Sequence, residues 1–172
     1  GLPFNLNLAR PNGSGGPLDS AKIIAGLQET FKCIEANLPA YNLLGSLLDR
    51  AFLAAPHDRP CGVGKAYLVI DHHGRITRCQ MTMDRTVTDI WDENPLQAVR
   101  ECGGSFQNVA VEEKEGCRDC IWRYWCGGGC PLLSYRATGR SDVSSPYCEM
   151  YKALYPEMLR LEGLRLLQWW CA

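Results

Sequence analysis

The sequence predicts an α+β fold in which a β-hairpin and an irregular, cysteine-rich region lie between helical segments. Helical periodicity occurs near both ends of the chain, and a hairpin pattern lies in the middle. Residues 103–147 have little periodicity but many glycines and cysteines. At 172 residues, the chain suits one domain, or one small domain plus part of another.

The first part of the chain predicts a strand, a loop and a helix. Polar and apolar residues alternate over Leu2–Leu8, which favours a short strand, and residues 10–17 have loop composition. Asp19 or Ser20 can cap a helix that carries Cys33, which we expect to be a small core residue. The apolar stripe of this helix has helical spacing and comprises Ile23, Ile24, Leu27, Phe31 and Ile34.

A second helix and a hairpin are expected next. Leucines at helical spacing predict a helix over about residues 40–54, which Pro56 ends. Residues 66–70 and 75–80 read as two strands joined by the turn Asp71–Gly74. Asp71 can accept hydrogen bonds from its own turn, and Gly74 supplies a positive φ.

Two more helices and one charged loop complete the expected elements. Pro95–Glu101 reads as a short helix, and residues 149–169 read as a long one with a kink or break at Pro156. The mixed charges of Glu112–Glu115 predict a solvated loop.

Composition excludes several function classes. The formal net charge is −1, so nothing draws the chain as a whole to nucleic acid or an anionic membrane. No stretch reaches the roughly 18 apolar residues of a membrane span, and the first residues lack a signal-peptide pattern. We therefore expect a cytoplasmic protein. In a reducing cytosol, its ten cysteines favour metal binding or redox chemistry over disulfides.

Four cysteines form a dense motif in which Cys117 and Cys120 are three positions apart, Cys126 follows, and Cys130 comes after three glycines. A Cys-x2-Cys pair brings two thiolates to one metal centre, and glycines let the backbone approach a bulky cluster. Pro131 follows the last cysteine directly, and bacterial ferredoxins also have a proline at this point of their cysteine motif. Trp122, Tyr124 and Trp125 are expected to form an apolar shell. These spacings alone also allow one tetrahedral zinc.

Three further cysteines extend the motif to a family pattern. Cys61-x12-Gly74-x4-Cys79 surrounds the hairpin, and Cys148 opens the last helix, where the helix dipole favours a thiolate. The complete pattern resembles the seven-cysteine motif of the SPASM domain, the C-terminal extension of radical S-adenosylmethionine enzymes such as anaerobic sulfatase maturases and peptide-modifying maturases. The resemblance covers residues 56–172. Residues 1–55 resemble the end of the partial (β/α) barrel that precedes it.

The resemblance implies two auxiliary [4Fe–4S] clusters and their ligands. Cys61, Cys79 and Cys130 would hold the first cluster, and the second would be held by Cys117, Cys120, Cys126 and Cys148. The three cysteines outside the pattern are not expected to be ligands; they are Cys33, Cys102 and Cys171.

The chain also departs from the family. The Cys-x3-Cys-x2-Cys motif that binds the catalytic cluster is absent from these residues, so S-adenosylmethionine and a third [4Fe–4S] cluster are expected only in a full-length enzyme. Gln80 stands where sulfatase maturases carry an Asp, which favours modification of a ribosomally made peptide over sulfatase maturation. Expected partners are a peptide or protein substrate and an external electron donor or acceptor, with neither nucleic acid nor membrane.

Two rival interpretations remain open at this point. One is a structural zinc or interaction module without a redox role. The other is a stand-alone electron carrier.

Overall fold

The computed structural model of the chain describes residues 3–8, 19–48 and 52–170, and within these ranges the fold mixes helices with one small sheet. The helices and strands of these ranges, in chain order, are α1 (Ser20–Glu35), β1 (Val69–Ile70), β2 (Arg75–Thr77), β3 (Thr86–Asp89), α2 (Pro95–Glu101), α3 (Arg123–Cys126), α4 (Pro131–Thr138) and α5 (Cys148–Trp170). Single 3₁₀ turns lie at Gln80–Thr82 and Val111–Glu113.

Helix α1 begins where its capping residue predicts. Asp19 has an extended backbone, and its carboxylate accepts hydrogen bonds from the N–H groups of Ala21 and Lys22. These bonds satisfy donors that the first turn of a helix leaves without partners. The prediction of this helix is confirmed, although Cys33 is exposed on it rather than part of the core.

The predicted hairpin is the first half of a three-stranded antiparallel sheet in the order β1-β2-β3. Val69 pairs with Thr77 and Ile70 with Ile76, so residues 71–74 form the turn. The Asp71 carboxylate accepts from the backbone N–H groups of His73 and Arg75. The sequence analysis misses β3, although its β-branched residues Thr86–Thr88 are the usual signal for a strand.

The later helices agree with local signals. Helix α2 has the predicted bounds, and the Asn94 side chain caps it by accepting from Gln97 N–H. Helix α4 is not predicted, although it begins with Pro131 and ends at Gly139 in the left-handed conformation. Helix α5 continues through Pro156 without the predicted break.

The larger hydrophobic core joins the N-terminal part of the chain to α5. Helix α1 packs along α5, and the turns after α1 fill the space beside them. The central buried side chains are Phe31, Leu43, Leu47, Met150, Leu154, Tyr155, Met158 and Leu161. This core contains residues from both sides of position 55. The domain boundary at that position therefore stays a prediction.

Two predicted elements are wrong. Residues 3–8 form no strand: Phe4, Leu6 and Leu8 pack against the larger core, and Leu6 N–H donates to Ser46 C=O at 2.8 Å. The described residues of the predicted second helix, 40–48 and 52–54, form turns and bends. In the described part of the chain, the only sheet is the antiparallel one, so the end of a partial barrel is not confirmed.

A buried ion pair on α5 accounts for the missing second helix. Glu162 accepts from Leu43 N–H at 3.0 Å, and Arg165 donates to Ala40 C=O at 2.9 Å. Glu162 and Arg165 pair with each other at 2.7 Å. Asn42 also accepts from Leu44 N–H. Because side chains satisfy these backbone groups, the segment does not require helical hydrogen bonds.

A smaller hydrophobic core lies between the sheet and α4. Its buried members are Val63, Cys79, Phe106, Cys130 and Leu132, with Cys61 packed against them. None of the helices in the described ranges is both long and apolar enough to cross a membrane.

Candidate metal centre

Four of the predicted ligands line one cavity. The wall of this cavity includes Cys117, Cys120, Cys126 and Cys148. These residues are the set that the SPASM resemblance assigns to the second cluster. None of the nine cysteines in the described ranges forms a disulfide.

Short local structures bring these cysteines together. Cys120 N–H donates to Cys117 C=O at 2.9 Å, which closes a tight turn, and Cys126 ends helix α3. The strand-like pairing of Glu115 with Val143 places the chain before α5 beside the turn that carries Cys117. Cys148, the first residue of α5, therefore meets a motif that lies more than twenty positions earlier in the sequence.

Aromatic side chains cover the inner wall of the cavity. Tyr155 and Trp122 both line it, with ring centroids 5.1 Å apart. The Tyr155 hydroxyl is buried without a hydrogen-bond partner of regular geometry, although Cys126 is near enough to raise its pKa together with burial. The predicted apolar shell is only partly correct, because Trp125 packs against the larger core and Tyr124 is exposed beneath the Arg123 guanidinium.

Burial raises the pKa of two thiols of this cavity, Cys117 and Cys148. It raises the pKa of Cys117 to about 11, although Lys114 acts in the opposite direction. Burial also raises the pKa of Cys148, against the effect of Lys152. Burial thus acts on Cys148 in the direction opposite to the predicted effect of the α5 dipole, and a metal that binds these two thiols must displace their protons.

The other three predicted ligands meet at the smaller core. Cys79 and Cys130 are buried within it, and Cys61 packs against it. Cys79 ends the hairpin, and its sulfur accepts from Met81 N–H at 3.5 Å. Cys130 precedes Pro131, which begins α4. The two cysteine groups are thus joined along the chain by the three glycines between Cys126 and Cys130.

Hydrogen bonds hold the linker that carries Cys61. His57 N–H donates to Tyr124 C=O, and Val111 N–H donates to Asp58 C=O. The Asn108 amide donates to Cys61 C=O at 2.8 Å, while its oxygen is buried without a partner. The linker therefore has a fixed path between residues 108–111 and helix α3.

The three glycines also pack closely against other parts of the protein. All have positive φ, and a Cβ on any of them would meet protein atoms closer than 3.0 Å. Gly127 faces the backbone of Arg59 and Pro60, Gly128 faces the Lys114 side chain, and Gly129 faces Ser145. They are required for close packing of the protein itself, in addition to any approach to a cluster.

Lys114 is the main site residue that the sequence analysis misses. It was expected on a solvated loop, yet its exposed fraction is 0%. Its ammonium group donates to the carbonyls of Gly127 and Gly128 at 3.4 and 3.3 Å, and no carboxylate in the described ranges pairs with it. Burial lowers the pKa of Lys114, and nearby cysteines oppose this effect; they are Cys117, Cys126, Cys130 and Cys61.

The remaining residues singled out in the sequence are not members of the two cysteine groups. Cys33 is exposed on α1, and Cys102 caps the end of α2. Cys171 lies outside the described residues. Gln80 is exposed at the start of a 3₁₀ turn.

The residues present fit iron–sulfur clusters. The cavity lining offers four thiol donors and no carboxylate, with the buried Tyr155 hydroxyl beside Cys126. The buried ammonium group of Lys114 lies outside this lining, next to Gly128. Within the described ranges, no three His, Cys, Asp or Glu side chains are arranged as ligands of a single metal ion.

Comparison with known proteins gives little further information. An uncharacterized protein of Archaeoglobus fulgidus is 31% identical over 97 residues. The matched stretch covers 55% of this chain and 23% of that protein, so the chain spans about a quarter of its relative. The sequence matches no protein-family model, and no solved structure is similar to the chain.

Proposed function

We propose that this chain is the auxiliary cluster-binding, C-terminal part of a radical S-adenosylmethionine enzyme that oxidatively modifies a ribosomally made peptide or protein. The observation that carries this proposal is the cavity lined by Cys117, Cys120, Cys126 and Cys148. The resemblance to the SPASM domain assigns these same four residues to one cluster. The meeting of Cys61, Cys79 and Cys130 at the smaller core supports the other assignment.

The clusters, when bound, would pass an electron between the substrate and an external partner, help to seat the substrate, or do both. In this proposal, the chain's own residues hold the clusters and exclude water from them. Trp122 and Tyr155 shield the second cluster, and Val63, Phe106 and Leu132 shield the first. An apolar shell of this kind sets the local dielectric and hence the reduction potential.

The residue directly after the hairpin cysteine Cys79 supports the proposed substrate class. Gln80 cannot act as the acid–base group that an Asp would provide at this position, which supports peptide modification over sulfatase maturation. The barrel end in residues 1–55 and the cytoplasmic location belong to the same proposal. S-adenosylmethionine and a third cluster would be supplied by the full-length enzyme.

Metal analysis tests this proposal directly. The full chain, purified without oxygen, should contain about eight iron atoms and as many acid-labile sulfides, since two [4Fe–4S] clusters bind four of each. It should also be brown, whereas a protein that held only zinc thiolates would be colourless. Stoichiometric zinc without sulfide would support the structural-module rival and contradict the proposal.

Single serine variants test the ligand assignment. Cys120→Ser should lower the iron content by about half, because the second cluster then lacks one of its four thiolates. The matched control is Cys33→Ser, which changes an exposed thiol and should leave the iron content unaltered. Cys102→Ser and Cys171→Ser should behave like this control. Equal iron loss in Cys120→Ser and Cys33→Ser would contradict the assignment.

A further inference from the structure

Lys114 is the buried charge with the least evident partner in the described part of the chain. Its exposed fraction is 0%, and the residues beside it in sequence, Glu113 and Glu115, are both exposed. Glu115 pairs with Arg140 instead. Burying an ammonium group without a counter-ion is strongly unfavourable, so the surroundings of Lys114 should supply negative charge in the functional protein.

The position of Lys114 indicates where that charge lies. The ammonium group bonds to the carbonyls of Gly127 and Gly128, in the segment that joins the two cysteine groups. Cys117 and Cys126 from one group and Cys61 and Cys130 from the other are all near enough to act on it. The lysine is therefore flanked by both groups.

We propose that Lys114 is a shared counter-charge that lies between the two clusters and raises the reduction potential of both. The inference rests on the proposed function, because it requires both clusters to be present. A [4Fe–4S]²⁺ cluster with four thiolates has a net charge of about −2, and reduction adds a further electron. A nearby fixed cation favours the more negative state, so it raises the potential.

Gly128 supports this role, because its backbone leaves room for the lysine. A Cβ on Gly128 would lie 2.5 Å from Cδ and 2.8 Å from Nζ of Lys114. The Lys114 side chain thus occupies the space that any larger residue at position 128 would need. Its ammonium group is held in one place, as a fixed counter-charge requires.

Reduction potentials of neutral variants test the proposal in the anaerobically purified full chain. In Lys114→Met and Lys114→Gln, both clusters should become harder to reduce, with at least a tenfold fall in the ratio of reduced to oxidised cluster at a fixed potential. This fall corresponds to about 59 mV for one electron. Titration monitored by electron paramagnetic resonance measures each cluster separately.

The control is Lys152→Met. Lys152 lines the same cavity, but its side chain is 44% exposed and pairs with Glu149, so water and a carboxylate already screen its charge. Lys152→Met should therefore shift the reduction potentials far less than the Lys114 variants do. Lys114→Gln keeps a hydrogen-bond donor but removes the charge. If the charge sets the potentials, Lys114→Gln should therefore shift them as much as Lys114→Met does.

The outcomes separate this inference from the proposed function. Unchanged potentials in Lys114→Gln, or a shift of one cluster only, would overturn the shared counter-charge while leaving the clusters in place. Absence of clusters in the unaltered chain would overturn the proposed function itself. If the neutral variants hold less iron, Lys114→Arg decides: recovery of both clusters supports the charge, and no recovery refutes it.

Discussion

Gly127 offers the sharpest test of how the two cysteine groups are held together. Its φ is +59°, and a Cβ would lie 2.6 Å from the carbonyl carbon of Arg59 and 2.6 Å from the nitrogen of Pro60. Both atoms belong to backbone, which cannot rotate away as a side chain can. Reaching ordinary contact at 3.4 Å requires a separation of about 0.8 Å between the two segments.

The expected cost of Gly127→Ala has two parts. The left-handed conformation costs an alanine about 1–2 kcal/mol. Forcing extra volume into a packed site adds about 1–3 kcal/mol. Gly139→Ala is the matched control, because Gly139 has φ +74° and nothing within 4 Å of its added Cβ. The control should show only the first part.

Thermal unfolding of the iron-loaded protein measures the difference. At about 2–4 °C per kcal/mol for a chain of this size, Gly127→Ala should unfold about 2–12 °C below Gly139→Ala. Both variants need the same scan rate, because cluster loss makes unfolding irreversible. Gly127→Ala should also hold less iron, since the displaced linker carries Cys61. Equal midpoints and equal iron contents would refute the close packing of helix α3 on the linker.

Three further predictions follow from buried polar groups and the linker. Glu162→Gln should cost about 3 kcal/mol of stability, because it leaves the buried Arg165 guanidinium without a counter-ion. Burial is the largest single effect on the Glu162 pKa and raises it. The hydrogen bonds from Arg165 and Leu43 together outweigh burial, so the pKa is lowered on balance. In chemical unfolding, the unaltered chain should therefore lose this contribution as the pH falls from about 4.3 toward the folded-state pKa. Tyr155→Phe should leave the stability of the metal-free chain unchanged but lower the reduction potential of the second cluster in a redox titration. An unchanged potential would mean that the hydroxyl does not donate a hydrogen bond to a cluster sulfur. His57→Ala should not alter the paramagnetic resonance spectrum of the reduced protein, because the resemblance assigns the clusters to seven cysteines and not to His57; an altered spectrum would instead indicate that His57 is a ligand of the first cluster, which has three thiolates.

Local patterns were sufficient to predict several elements. The Asp19 cap, the turn at Asp71–Gly74 and helix α2 each depend on neighbouring residues, and each agrees with the structure. Helix α4 had an equally local signal, Pro131 at its start and Gly139 after its end, which the sequence analysis did not use. Short-range signals of this kind are available to any reader of the sequence.

Long-range interactions explain what the sequence analysis could not predict. The turns at residues 40–48 depend on Glu162 and Arg165, more than a hundred positions later. The burial of Lys114 depends on Gly127 and Gly128, whose carbonyls hold its ammonium group. A lysine between glutamates usually lies in solvent, so nothing in its local sequence indicates burial.

The three glycines between Cys126 and Cys130 connect these observations. Gly127 packs on the linker to Cys61, Gly128 on Lys114, and Gly129 on Ser145, which lies shortly before Cys148. Each glycine thus fixes a different neighbour of the cysteine groups. A side chain at any of the three positions would displace one of these neighbours, so the close packing of the protein alone requires glycine here. The short segment therefore sets the relative position of both groups, whereas Cys79 on the hairpin contributes to one group only.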